Sequence, residues 1–184
     1  MWSLDINFAK ELNPVQKRMW NVIVFLIRLS VLSLPLYVIL SFTAVLLPLQ
    51  VLIASQTGWV LQLMGFSVTQ NTALVSVSGP ASQQVFNFLV DADCTAWKSM
   101  LFAFALIFAV PRVKNRKRLY GLALAVPVIW VVNLSRIVGS VMVEQSYGLE
   151  TAMFVHDVLW QFGLIALVLV VWGVWMNRFA LKKK

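Results

Sequence analysis

The chain has little charge and very little thiol or imidazole: among its 184 residues there is one cysteine, Cys94, and one histidine, His156. A lone cysteine excludes a disulfide within the chain, and without a resolving partner it argues against thiol redox cycling. One His, one Cys and scattered carboxylates give no recognisable ligand spacing, so no metal site is expected and no cofactor is implied. Charged residues make up only 12% of the chain, against about 25% in a soluble globular domain. None falls between Arg28 and Asp91, a stretch far longer than the roughly 20 apolar residues that cross a bilayer. The N-terminus also lacks the short apolar run and small-residue cleavage site of a secretory signal, and is read as retained.

What remains is 60% hydrophobic, and the economical reading is one integral membrane domain over 1–184, an all-α polytopic bundle. Four spans are expected, at about Leu29–Ala54, Cys94–Val110, Leu119–Val143 and Asp157–Met176. Residues 1–20 read as an amphipathic lead-in at the cytoplasmic surface. The net charge of +8 does not point to nucleic acid, because the basic residues cluster at the ends of apolar segments as topology signals do. They are Lys10, Lys17, Arg18 and Arg28, the loop 112–118, and the tail 177–184 with Arg178 and Lys182 to Lys184. By the positive-inside rule these patches are cytoplasmic, which puts both termini inside and leaves 55–93 and 144–156 as outer loops. Alternation of apolar and polar residues around Gln70-Asn71 predicts a short β-hairpin in the first outer loop, with Trp59–Met64 interfacial or re-entrant. Trp59, Trp97 and Trp160 stand where an aromatic belt would.

Only Lys98 and Arg136 stand apart from the basic patches. Arg136 lies 16 residues after Tyr120, roughly 24 Å at 1.5 Å per helical residue, which sets it in the outer leaflet. An arginine there calls for an anionic partner or water. One reading is that it snorkels to the outer headgroups. The other rests on Asn133, Arg136 and Ser140, which recur at helical spacing on one face and suggest the wall of a site. Cys94 follows Asp93, a candidate N-cap, so the thiol would occupy the first helical turn, where the helix dipole favours a thiolate. Lys98 one turn on would add to that, while Asp91 and Asp93 oppose it. His156 opens the last span at the same height. Taken alone, Cys94 is a small packing residue and His156 an interfacial side chain; together with Arg136 they match the needs of thiol acyl transfer, a nucleophile, a proton shuttle and a cation. Asp157 adjoins His156 and could orient it, but consecutive helical residues point about 100° apart.

Three motifs, Asp93-Cys-Thr-Ala-Trp97, Asn133-Leu-Ser-Arg-Ile137 and Phe154-Val-His-Asp157, resemble, in that order, the exosortase and archaeosortase family of prokaryotic membrane cysteine transpeptidases. The resemblance covers roughly residues 60 to 165. Ala96 stands where many members have Gly, and Lys98 is outside the pattern. The resemblance implies Cys94 as nucleophile, Arg136 as the stabilising cation and His156 as acid/base, on the outward side of a prokaryotic cytoplasmic membrane. It implies as substrates exported proteins with a C-terminal motif, a transmembrane helix and a basic tail, and as acceptor a lipid or envelope component. Hydrolysis in place of transfer stays open, as does a different class, a non-catalytic membrane subunit or small transporter in which Arg136 binds an anion.

Overall fold

The computed structural model describes residues 13–79, 85–158 and 162–180. Residues 1–12 of the expected lead-in, Trp160, and residues 181–184 of the basic tail lie outside the described residues. Helix α1 (Pro14–Ser41) starts on Asn13, whose N–H donates to the Gln16 side chain at 3.0 Å, with Pro14 in the first turn, where a missing N–H costs nothing. Its flanks carry exposed Val15, Met19, Ile23, Leu26, Leu34 and Val38, a surface that water would not tolerate and lipid would.

The apolar stretch expected as one span over Leu29–Ala54 is divided. The chain leaves the helix at Phe42 (φ −131°, ψ 58°), makes a 3-10 turn over Thr43–Leu46, and starts again as α2 (Leu47–Leu63). Pro48 lies in the first turn of α2, where a residue without an N–H fits a helix start and not a helix interior. The segment 55–93 therefore holds the second half of α2 and then a three-stranded antiparallel sheet of β1 (Ser67–Asn71), β2 (Leu74–Ser78) and β3 (Val85–Leu89), in the order β1-β2-β3. The hairpin turns at Thr72-Ala73, with Asn71 opposite Leu74, two residues beyond the predicted centre.

Helix α3 (Trp97–Ala109) leads through the basic loop into α4 (Asn115–Tyr147), whose 33 residues make it about 50 Å long, well beyond the roughly 30 Å of a hydrocarbon core. Gly148, at φ +85°, a conformation open to glycine at little cost, turns the chain into α5 (Leu149–Val158), which packs back along α4. The expected outer loop 144–156 is thus helical on both sides of this turn. Helix α6 (Leu164–Trp175) ends in a π-helical turn, Met176–Ala180. Among the described residues, three helical stretches are long and apolar enough to cross a membrane: Pro14–Pro35, Ala44–Leu63 and Asn115–Tyr147. Two of the four expected spans, α3 and α6, are shorter apolar helices.

Two apolar clusters hold these parts. At the basic end, α3, α4 and α6 close around the fully buried Trp175. Its Nε1 donates to the Lys117 carbonyl at 2.8 Å, and Arg118 Nη2 donates to the Val110 carbonyl at 2.9 Å. At the other end, Ile53, Ala54 and Leu61 of α2 and Val75 and Val77 of β2 pack with Ile137, Val138 and Val141 of α4. Polar ties fix that packing: Trp130 Nε1 donates to Gln56 Oε1 at 2.8 Å, and the Gln70 side chain meets Ser55 at 3.1 Å. This second cluster carries the polar residues singled out in the sequence.

Candidate functional site

Cys94 sits in a 3-10 turn (Ala92–Thr95) between β3 and α3, not in the first turn of the span helix. The cap is Asp91 and not Asp93: its carboxylate Oδ1 accepts the Cys94 N–H at 2.9 Å. Thr95 Oγ1 closes the turn on the Ala92 carbonyl at 2.7 Å. Ala96, fully buried and left-handed at φ 54°, then redirects the chain into α3. That is the position at which the resemblance expects glycine, and the dihedral supplies the reason. Asp93 pairs with Lys98 at 2.6 Å, both partly exposed, so the Lys98 charge is engaged there and does not serve the thiol.

The spacing of Asn133 and Arg136 places both on the face of α4 toward this turn, and both are buried, at 1% and 5% exposure. Asn133 Nδ2 donates to the Cys94 carbonyl at 2.7 Å, while its Oδ1 accepts from Arg136 Nη2 at 3.2 Å. Arg136 Nη1 reaches His156 Nε2 at 3.4 Å. His156 arrives by the Gly148 turn: it and Ser140 stand eight residues to either side of that glycine, so antiparallel packing of α5 on α4 brings them level. Ser140 Oγ lies 3.5 Å from His156 Nδ1 and donates to the Arg136 carbonyl at 3.0 Å. A continuous polar chain therefore joins Cys94, Asn133, Arg136, Ser140 and His156 across three elements. Asp157 belongs to α5 by its backbone, and its side chain lies outside the described residues.

The site opens into a cavity of about 260 Å³ whose wall includes Asp91, Cys94, Ser140 and His156, with Phe86 and Phe88 of β3, Ile137 and Val141 of α4, and Leu149 and Met153 of α5. Arg136 is not in that wall; it braces Asn133 and His156 from behind while remaining within electrostatic reach of the thiol. Burial pushes the Cys94 thiol up to about 12, the Asp91 carboxylate adds to the rise, and Arg136 opposes it. The resting sulfur is accordingly a neutral thiol, the reverse of the thiolate that a helix N-terminus alone would favour.

Sequence reasoning missed two contributors. Asp91 enters the sequence reading only as a charge, because two acids within three residues compete for the cap and the left-handed Ala96 shifts the helix start. The strand Val85–Leu89 falls inside the expected outer loop 55–93; its run of four apolar residues about a single Asn87 was the available signal. The transmembrane exosortase family model matches residues 15–172, most of the chain. No curated protein and no solved structure matches.

Proposed function

The chain belongs to the transmembrane exosortase family, and from that premise we propose that it is a membrane cysteine peptidase or transpeptidase acting on exported proteins. Cys94 is the nucleophile, His156 the acid/base and Arg136 the stabilising cation. The observation that carries this reading is the single hydrogen-bonded chain linking the three, with the thiol and the imidazole on one cavity.

Because the resting thiol is neutral, its proton leaves as the sulfur attacks and not beforehand. The imidazole takes that proton while a C–S bond forms to the scissile carbonyl carbon, giving an oxyanion. An imidazolium no longer accepts from Arg136, so the guanidinium, still held by Asn133, gives its charge to the sulfur and the oxyanion. Collapse breaks the C–N bond, the imidazolium returns its proton to the departing amine, and a thioester remains on Cys94. A hydroxyl or amine of a lipid or envelope acceptor, or water, then attacks the thioester with the imidazole as base and releases the thiol. Asn133 holds the Cys94 carbonyl and Arg136 in register throughout.

The substrate end of this reading is an exported protein with a C-terminal motif, a transmembrane helix and a basic tail, processed on the outward face of a prokaryotic cytoplasmic membrane with both termini of the enzyme inside. The apolar wall of Phe86, Phe88 and Met153 suits the uncharged side chains of an extended segment. The test is co-expression with a native substrate of this type: wild type removes the tail, and Cys94→Ala, Arg136→Ala and His156→Ala leave it intact. Normal processing by Cys94→Ala, with loss only in Arg136→Ala, would instead support the non-catalytic or anion-binding reading.

A further inference from the structure

Ser140 is a cavity-wall residue to which the reaction above gives no role. We propose that it is a positioning residue that holds His156 in the Nδ1–H tautomer and so makes Nε2 the basic nitrogen of the site. This rests on the reading of His156 as the acid/base.

The argument is a hydrogen count. A guanidinium carries only donors, so Arg136 Nη1, at 3.4 Å from His156 Nε2, meets a lone pair there. A neutral imidazole has one N–H, which is then on Nδ1. Nδ1 faces Ser140 Oγ at 3.5 Å, and the Ser140 hydroxyl hydrogen is directed to the Arg136 carbonyl at 3.0 Å. The hydroxyl oxygen thus has lone pairs for Nδ1–H, and each hydrogen is used once. The opposite tautomer sets the Nε2–H against an Arg136 N–H, two donors facing each other. It also leaves the Nδ1 lone pair against Oγ, whose hydrogen would have to abandon the Arg136 carbonyl. An imidazolium in the resting site meets the same clash with Arg136 and adds a second positive charge.

The fold supplies the register. Ser140 is on α4 one turn after Arg136, and Gly148 at φ +85° returns α5 so that the ring lies between the two side chains. The other titratable groups on the ring's cavity are Asp91 and Cys94. Once Nε2 takes the thiol proton, Nδ1–H keeps its acceptor, so the ring changes charge without turning.

The chain has one histidine, so full-length protein in detergent, purified without a histidine tag and labelled with ¹⁵N-histidine, gives a single imidazole. At pH 8 the wild type is expected to show a protonated Nδ1 and an unprotonated Nε2. Ser140→Thr, which keeps the hydroxyl, retains this pattern, and Ser140→Ala shifts population to the Nε2–H form. A wild-type ring protonated on Nε2, or a Ser140→Ala spectrum unchanged from wild type, would overturn the proposal. Should Ser140→Ala fail to fold, the wild-type and Ser140→Thr spectra decide it. The spectra need no substrate. A wrong tautomer with Cys94-dependent tail loss removes only the role of Ser140, whereas the right tautomer with Cys94-independent tail loss removes the enzyme reading.

Discussion

Cys94 is the only cysteine, so alkylation by iodoacetamide reads one thiol, and its pH dependence tests the electrostatics of the site without a substrate. The thiol is pushed up from 9.0 to about 12, by burial first and by the Asp91 carboxylate second, against the pull of Arg136. A raised value keeps the proton on sulfur through the neutral range. At pH 7.5 the thiolate fraction falls from ~3% for an ordinary thiol to ~0.003%, a factor of ~1,000. The more basic thiolate is the better nucleophile by ~20-fold over three units at a Brønsted slope of 0.4–0.5, so the net expectation is alkylation ~50-fold slower than a free cysteine. The rate should climb about tenfold per pH unit from 7 to 10, with no plateau near 9. Asp91→Asn keeps the oxygen that caps the turn and removes the charge, so it alkylates faster than wild type; burial remains, so it does not reach the free-thiol rate. Asp93→Asn, whose carboxylate is turned to Lys98, leaves the rate unchanged. A plateau near pH 9, or an Asp91→Asn rate no faster than wild type, would refute the reasoning.

Other predictions concern the frame around the site, read by thermal unfolding in detergent. Ala96→Gly is expected to unfold near the wild-type temperature, because glycine accepts the left-handed dihedral. Ala96→Val, β-branched at φ 54° with no exposed surface, should lose about 1–3 kcal/mol. Gly121→Ala would put a Cβ 2.7 Å from Trp175 Nε1, forcing the ring off the Lys117 carbonyl at about 1–3 kcal/mol, while Gly139→Ala meets nothing within 4 Å and should not lower the midpoint. Trp130→Phe removes the bond to Gln56 that ties α2 to α4, for about 1 kcal/mol.

The grouping of the site's polar residues was more legible than its scaffold. Asn133 and Arg136 at i, i+3 had to share a face, and they are hydrogen-bonded to each other. Arg136 in an apolar helix needed polar company, and it has Asn133 and His156. Composition could not show that α1 and α2 are separate, because the residues from Phe42 to Leu47 are nearly as apolar as the helices they join; only Pro48 marks the restart. The turn at Gly148 was hidden because the positive-inside rule reads 144–156 simply as the stretch between two spans, and a charge rule does not say whether that stretch is helical; it is, with α5 packed back on α4. The dihedral of Ala96 could be read only from the glycine that the resemblance expects there, since alanine itself is an unusual choice for it, and that residue sets where α3 begins and hence which aspartate caps the Cys94 turn.

The most direct measurement of the central claim is mass spectrometry of Cys94 after wild-type enzyme is mixed with a native tail-bearing substrate and quenched in acid. The account predicts a hydroxylamine-sensitive acyl adduct on Cys94, absent from Cys94→Ala and strongly reduced in Arg136→Ala. Loss of the substrate's tail with no adduct on Cys94, or undiminished in Cys94→Ala, would contradict it.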